Sequence, residues 1–495
     1  MALQELKLPP GAYRIGTAYE AKGRWYDTNL VRWLDGSLRP VGGWVRWGTG
    51  TFTGIARGAY AWTDSSGNRW FAFGTAAKLY VASNIAAISD ITPSSGFVAG
   101  VASATTQGGY GYGPYGSYQY GISRPDVGTP VLASSWALDG WGQYLVGCMD
   151  GDGDIWEWQL VPATPAAQVT NSPTGCIGLV VTAERFLFAL GAGGNPRAVQ
   201  WCDQGVNTTW TPAATNQAGS FILETDGEIR CGIKQEGETL ILTSSDLWAA
   251  RYIGVPLVYS FRRIDSGCGA PGNRTAVRIG NHAVWLGNGG FYLYEGRVRK
   301  LRCDVWDLYL ERVSRAQVSK VFGWHNVEHS EACWLIPGDE SNECDFYIIW
   351  NYVEDWWAFC EAGAFDRSCG VGRGTFQNPV LCGTDGKLYQ HELGADHDSE
   401  TPYAESGPFE LGNGERWMHA TKLYPDENTL AETTLTFKTR AYPTAAETDH
   451  GPYTMANPTS VRFSGRQVRM KVGAAGDTDW RFGVPRLDLV PGGKR

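Results

Sequence analysis

The stretch AVWLGNGGFYLYEG, residues 283–296, decides the fold class of this chain. An apolar run ends in a turn of asparagine and glycine, and a second apolar run with aromatic residues follows it. Two such runs joined by a short glycine turn predict a β-hairpin. Both strands are too apolar to face water, so the hairpin must pack against similar units.

Six further segments repeat this pattern. They are WFAFGTAAKLYV (70–81), YLVGCMDGDGDIWEW (144–158), RFLFALGAGGNPRAVQW (185–201), TLILTSSDLWAARY (239–252), ACWLIPGDESNECDFYIIWNY (332–352) and VLCGTDGKLYQ (380–390). Their spacing of about 40–60 residues is typical of propeller blades. We therefore predict an all-β protein, a β-propeller of about six to eight blades. A single jelly roll or sandwich is the alternative.

The pattern also divides the chain into three parts. Residues 1–50 form an N-terminal segment with a turn at Asp35-Gly36, and 51–400 form the propeller, with a Gly/Tyr-rich inserted loop at 92–130. From 401 to 495 apolar and polar residues alternate strictly, which predicts a small C-terminal β-sandwich-like domain. One short helix is predicted within 304–321, with Asp304 as its N-cap, on the outside of a blade.

Composition excludes several classes of protein. The 51 acidic and 42 basic residues give a net charge of −9, which argues against a surface that grips nucleic acid throughout. The last 35 residues reverse this sign, with eight basic and three acidic side chains. No apolar run is long enough for a membrane span, and the N-terminus lacks the pattern of a secretory signal. The eleven cysteines form no CxxC pair, so we expect them to be reduced and mostly buried.

Motifs for catalysis and for cofactors are absent: there is no P-loop, no GxGxxG after a strand, no GxSxG and no HExxH. The candidate metal ligands His325, His329, Cys333 and Cys344 have suitable spacing, but they lie where a loop becomes a strand, so the side chains should not converge. We therefore predict no metal, no cofactor and no catalytic residue.

Two acidic hairpins carry residues that could take part in chemistry. Asp150, Asp152 and Asp154 have the spacing of a calcium loop but lack the glutamate at its twelfth position. The segment TDSSGNRW, 63–70, is similar to the aspartate box of sialidases, but Asp64 lies one position early. We interpret both as hairpin turns.

The segment GGYGYGPYGSYQYG, residues 108–121, has too many glycines for a helix or strand and too many tyrosines for a solvated linker. Glycine lets a backbone follow an irregular surface, and tyrosine supplies large contact area with few rotatable bonds. We predict that 92–130 form an arm ordered by neighbouring subunits; a disordered linker is the alternative. The predicted partner-interface residues are Tyr110, Tyr112, Tyr115, Tyr118 and Tyr120.

Several stretches together resemble the tail hub or nozzle proteins of short-tailed bacteriophages. They are YDTNLVRWLDGSLRPVGGW near the N-terminus, the Tyr/Gly segment, SSWALDGWGQYLVGC, VQWCDQGVNTTWTPAATNQAGS, SKVFGWHNVEHSEACW, ESNECDFYIIWNY and the ending DTDWRFGVPRLDLVPGGKR. The resemblance implies a structural propeller subunit of a virion, made in the bacterial cytoplasm, in a six-fold ring below the portal and adaptor rings. It implies contacts with the head-to-tail adaptor ring and with tail fibre or needle proteins. Double-stranded DNA would pass without specific binding.

Two other functions remain open at this stage. One is a carbohydrate-binding or carbohydrate-cleaving propeller for host recognition, and the other is a cellular scaffold propeller of the WD or kelch kind. A glycosidase needs a pocket with two carboxylates about 5–10 Å apart. A tail component needs no such pair, and we expect the isolated subunit to be mainly monomeric and to form a ring only on its neighbouring tail components.

Overall fold

The computed structural model describes residues 2–105, 131–361, 363, 365–411, 416–426, 433–474 and 476–493. Five strands come from the first fifty residues: β1 (Ala2–Glu5), β2 (Trp25–Asn29), β3 (Val31–Leu34), β4 (Ser37–Pro40) and β5 (Trp44–Arg46). Strands β3 and β4 form a two-stranded sheet. The other three join sheets made by distant parts of the chain.

Seven four-stranded antiparallel sheets, called blades 1–7 here, follow one another along the described chain. Blade 1 has β6 (Ala56–Thr63), β7 (Arg69–Thr75), β8 (Leu79–Ser83) and β9 (Ile88–Asp90). Blade 2 has β10 (Trp136–Trp141), β11 (Tyr144–Met149), β12 (Ile155–Trp158) and β13 (Ala167–Gln168). Blade 3 has β14 (Gly178–Val181), β15 (Leu187–Leu190), β16 (Ala198–Trp201) and β17 (Gly219–Ile222).

The remaining blades repeat the arrangement. Blade 4 has β18 (Ile229–Lys234), β19 (Thr239–Thr243), β20 (Asp246–Gly254) and β21 (Val258–Ser266). Blade 5 has β22 (Ala276–Ile279), β23 (His282–Gly287), β24 (Gly290–Tyr294) and β25 (Val298–Lys300). Blade 6 has β26 (Phe322–Asn326), β27 (Glu331–Pro337), β28 (Cys344–Asn351) and β29 (Trp356–Phe359). Blade 7 has β30 (Arg367–Val371), β31 (Val380–Gly383) and β32 (Leu388–His391), and its fourth strand is β5.

The blades close into a circle. The first strand of each blade contacts the first strand of the next, and β30 of blade 7 contacts β6 of blade 1. Strand β5, from the N-terminal segment, completes blade 7 by pairing with β32. Strands make up 48% of the structure and helix 3%, so the predicted all-β class and β-propeller are confirmed.

Neighbouring blades are joined by tryptophan side chains. The Trp136 indole of blade 2 donates a hydrogen bond to the carbonyl of Thr75 in blade 1, at 2.8 Å. A side-chain carbon on Gly74 would lie 2.3 Å from that indole, so the contact requires glycine. In the same way, the Trp334 indole of blade 6 donates a hydrogen bond at 2.8 Å to the carbonyl of Thr275, which directly precedes blade 5. Such bonds satisfy buried indole groups while their rings fill the space between blades.

The C-terminal strands form two further sheets, and both take a strand from the N-terminus. The first sheet contains β1, β35 (Met418–Tyr424), β38 (Thr459–Gly465) and β40 (Arg486–Pro491). The second contains β2, β33 (Tyr403–Ser406), β34 (Phe409–Glu410), β36 (Thr433–Arg440), β37 (Thr448–Thr454) and β39 (Gln467–Ala474). Their apolar side chains belong to the same buried cluster as those of blades 5–7.

The predicted helix is present as α1 (Trp306–Arg312), but its predicted N-cap is wrong. The cap position is occupied by Val305, without a side-chain hydrogen bond. Asp304 instead accepts hydrogen bonds from Arg24 and Arg302, because both guanidinium groups lie beside it. Short 3₁₀ turns cover Ala192–Gly194 and Val318–Lys320. In the described chain, no helix has both the length and the apolar character needed to cross a membrane.

Candidate functional site

The four candidate metal ligands do not form one site. His325 Nε2 lies 3.1 Å from the hydroxyl of Tyr352, whereas His329 Nε2 lies 3.4 Å from Glu392 Oε2. Cys344 Sγ donates to the carbonyl of Lys320, and burial raises the pKa of this thiol to about 12. Within the described residues, no three His, Cys, Asp or Glu side chains are grouped so that they could hold a metal ion. His325, Cys333 and Cys344 lie on the successive strands β26, β27 and β28 of blade 6, and His329 lies in the turn between the first two.

The aspartates of the acidic hairpin bind separate protein groups. Asp150 accepts hydrogen bonds from the backbone NH of Ser135 at 2.8 Å and from Asn273 Nδ2 at 2.7 Å. Asp152 accepts from the indole of Trp156 at 2.7 Å. Asp150 and Asp152 therefore hold different groups, and each helps to fix a loop.

Asp64, in the segment similar to an aspartate box, caps a hairpin turn. One carboxylate oxygen accepts from the backbone NH groups of Ser66 and Asn68, and the other accepts from the Asn68 amide and the Trp70 indole. These hydrogen bonds lower the pKa of Asp64. All the acceptor positions are therefore used within the turn itself.

The buried carboxylates Glu331 and Glu392 line one cavity together, but it holds only about 20 Å³. Arg32, from β3, lies between them: its Nε is 3.0 Å from Glu331 Oε1, and its Nη1 is 2.8 Å from Glu392 Oε2. Asn326 donates to both carboxylates at 3.0 Å. A cavity of this size cannot admit a sugar ring, and this cluster holds the N-terminal hairpin to blades 6 and 7.

The first strands of the blades surround an axial cavity of about 510 Å³. Its lining includes Lys234, Arg274 and Arg278, and Asp139 is the only carboxylate among the described lining residues. Burial raises the pKa of Asp139, although backbone NH groups of Val181 and Gly140 donate to its oxygens at 2.8 Å. Among the described residues that line the axial cavity, there is therefore no pair of carboxylates of the kind that glycoside hydrolysis requires.

One end of this axis is crossed by polar contacts between opposite blades. Asn273 lies just before blade 5, and its hydrogen bond to Asp150 reaches the loop of blade 2, three blades away around the circle. Burial raises the pKa of Asp150 to about 6. The loops at this end of the propeller, called the loop face here, are thereby held together over the axis.

The Tyr/Gly segment leaves the propeller at the loop face. The backbone NH of Thr105 donates to the carbonyl of Val131 at 3.0 Å, so the chain leaves and returns at one point. The five predicted interface tyrosines, between these two residues, lie outside the described residues. The structure therefore describes the root of this segment, which is residues 98–105 and 131–135.

The root is held by hydrogen bonds within itself and to blades 1 and 2, and also by the segment just before blade 6. The Gln317 amide accepts from the NH of Ala104 at 2.9 Å and donates to its carbonyl at 3.1 Å, although these residues are 213 positions apart. Lys320 Nζ donates to Ser103 Oγ at 3.1 Å and also contacts the carbonyl of Asn342. A side-chain amide that pairs with both backbone groups of one residue fixes its position and its orientation.

A charge cluster lies under the root. Glu343 forms ion pairs with Arg57 of blade 1 at 2.7 Å and with Lys320 at 2.9 Å, and Arg57 also donates to the carbonyl of Ala102. Burial lowers the pKa of Lys320, and the nearby Arg57 lowers it further. No sequence signal identifies this cluster, because its members come from blades 1 and 6 and become neighbours only when the circle closes.

No protein-family model matches the sequence, and no curated protein matches it. Solved structures that match include the β-propeller domain of Cps50 (Swd1) from Myceliophteria thermophila, with 9% identity and a TM-score of 0.41 over 71% of this chain and 99% of that chain. A streptogramin B lyase matches with 9% identity and a TM-score of 0.39 over 71% of this chain and 97% of that chain. An exo-β-1,3-galactanase from Phanerochaete chrysosporium matches with 11% identity and a TM-score of 0.31, over 91% of this chain and 100% of that chain. These similarities concern the fold alone.

Proposed function

We propose that this chain is a structural component of a bacteriophage tail, a nozzle or hub subunit below the portal and adaptor rings. In this proposal the propeller is a rigid body, and the Tyr/Gly segment is an arm that binds neighbouring subunits. The observation that carries the proposal is the root: Gln317 and Lys320 hold both its backbone and its side chains where the segment leaves the loop face. The proposal that the assembly is a phage tail comes from the sequence resemblance to tail hub or nozzle proteins.

The root matters because it reduces the conformational entropy that the arm loses when it binds a neighbour. Fixing a flexible residue costs about 1–2 kcal/mol, so a long arm binds a neighbour only if its contacts offset this cost. Holding the two ends together removes part of this loss before a neighbour arrives. Five tyrosines then supply contact area with few rotatable bonds.

The DNA path of such a tail would not be the axis of one propeller. The axial cavity of about 510 Å³ is too small for a duplex, and the Asn273–Asp150 hydrogen bond crosses one end of it. In the proposed assembly, several subunits surround the channel and each propeller forms part of its wall. The net charge of −9 suits a wall that does not bind the phosphates.

The arm is tested by changing all five tyrosines at 110, 112, 115, 118 and 120 to serine, which keeps its length. The control is Tyr442→Ser, since Tyr442 is an exposed tyrosine outside the root and outside the Tyr/Gly segment. We expect the five-fold variant to keep the melting temperature of the isolated subunit but to be incorporated poorly into tails. Normal incorporation of the variant, or unfolding of the isolated subunit, would contradict the proposed arm.

A further inference from the structure

Blade 4 carries a hairpin that extends beyond its own sheet. Strands β20 and β21 have nine residues each. The neighbouring strand β19 pairs with β20 only as far as Ala250, opposite Thr239. Residues 251–254 of β20 therefore pair only with β21, and they project about 13 Å past the four-stranded sheet, at about 3.3 Å per residue.

The tip of this hairpin is apolar and exposed. Its sequence is IGVPL, residues 253–257, and the exposed fractions of Ile253, Val255 and Leu257 are 50%, 71% and 70%. Single exposed apolar residues are common on proteins, but three in five residues at the end of a projection are not. Water is an unfavourable environment for this tip.

Three arginines surround the hairpin behind the tip. Arg251 and Arg262 lie on one face, because Arg251 pairs with Ser260 and Arg262 with Ala249, and Arg263 lies on the opposite face. All three are exposed, and none forms an ion pair with another described residue. This basic collar stands out on a chain with a net charge of −9.

The base of the hairpin is rigid. Tyr259 contacts Thr182 Oγ1 at 3.0 Å and donates to Glu184 Oε2 at 3.2 Å. Tyr252 donates to Gln217 Oε1 at 3.1 Å. These contacts with blade 3 fix the direction in which the tip and collar point.

We propose that this hairpin inserts into the surface of a lipid bilayer that contains anionic headgroups. The apolar tip would enter the boundary between headgroups and acyl chains, which surface-bound segments reach to a depth of about 5–10 Å. Arg251 would then lie among the phosphates, and Arg262 and Arg263 would lie just above them. A nucleic acid would account for the arginines but not for the apolar tip. This inference does not depend on the proposed tail function.

The test measures sedimentation of the purified protein with two kinds of vesicle, phosphatidylcholine alone and phosphatidylcholine mixed with phosphatidylglycerol. The tip variant is Ile253→Ser with Val255→Ser and Leu257→Ser. Its matched control is Ile85→Ser with Val161→Ser and Val353→Ser, three apolar residues of similar exposure elsewhere on the protein. The collar variant is Arg251→Gln with Arg262→Gln, and its control is Arg69→Gln with Arg315→Gln, also exposed. Circular dichroism and melting curves confirm that each variant folds.

We expect the protein to bind the anionic vesicles and the tip variant to bind at least about tenfold more weakly. Each collar arginine should contribute about fivefold in affinity, and this contribution should disappear at high salt. Both controls should bind like the unchanged protein. The proposal is overturned if the unchanged protein does not sediment with anionic vesicles, or if the tip variant binds as well as its control. Self-association that depends on the tip, without vesicle binding, would also overturn it and would assign the hairpin to a protein interface.

Discussion

Replacing Arg32 with methionine is expected to destabilise the protein more than any loss of a surface charge. The side chain of Arg32 is 4% exposed, that of Glu331 is fully buried and that of Glu392 is 11% exposed. Burial alone would raise the pKa of Glu392, but the Arg32 guanidinium reverses this and holds it well below its ordinary value. Burial raises the pKa of Glu331 despite the same arginine. Without Arg32, two buried carboxyl groups would face each other.

The magnitude follows from this burial. Removing one partner of a buried ion pair costs about 3–5 kcal/mol, because the other charge stays desolvated. The exposed pair Lys78–Asp90, whose side chains are 42% and 41% exposed, is the matched control, and Lys78→Met should cost less than about 1 kcal/mol. Replacing all three groups, as Arg32→Met with Glu331→Gln and Glu392→Gln, should recover most of the loss, since no buried charge remains.

Unfolding in urea, followed by tryptophan fluorescence, measures these differences as shifts of the midpoint at a common slope. The unchanged protein, the two single variants and the triple variant are compared at one pH. If Arg32→Met and Lys78→Met shift the midpoint equally, the cluster does not hold the N-terminal hairpin as described. If the triple variant is less stable than Arg32→Met alone, the uncompensated charge is not the cause.

Three other expectations concern pH, thiols and turnover. Burial, and to a smaller extent the charge of Arg367, hold the pKa of His391 well below its ordinary value. Below about pH 6.5 the unfolded chain therefore binds a proton that the folded protein does not. The free energy of unfolding should fall as the pH drops below this value, and it should fall less steeply in His391→Gln. The eleven cysteines are buried, so a thiol reagent should react slowly with the native protein and should modify all eleven thiols only in denaturant. Several rapidly modified thiols in the native protein would contradict this burial. A screen for glycosidase, esterase and nuclease activity should find none; activity that a single Asp or Glu substitution abolishes would favour the carbohydrate-cleaving alternative.

The sequence predicted the parts of the fold that depend on neighbouring residues. All seven hairpins quoted above contain the second and third strands of a blade: 70–81 covers β7 and β8, and 283–296 covers β23 and β24. These middle strands are buried on both faces and joined by short turns, so their pattern is strong. The fourth strands of blades 1, 2, 5 and 7 have only two or three residues each, and β13, with two, has no pattern at all.

Contacts between distant residues could not be predicted. Strand β5 closes the circle by pairing Trp44 with His391, and Arg32 meets Glu331 across 299 positions of the chain. The root is similar, since Gln317, just before blade 6, binds Ala104 across 213 positions of the chain. Asp304 shows that a distant contact can also replace a local one. Aspartate is a good helix N-cap, but here its carboxylate accepts a hydrogen bond from Arg24, which the fold brings close.

The most direct test of the proposed tail function is electron microscopy of intact particles of the phage that, in this proposal, encodes the chain. The subunit would carry a gold-binding tag at its C-terminus, and particles with a tag on the major head protein would serve as the control. We predict gold at the tail, directly below the head, on almost every particle. Gold that is absent from purified particles, or that lies on the head alone, would contradict the proposed function.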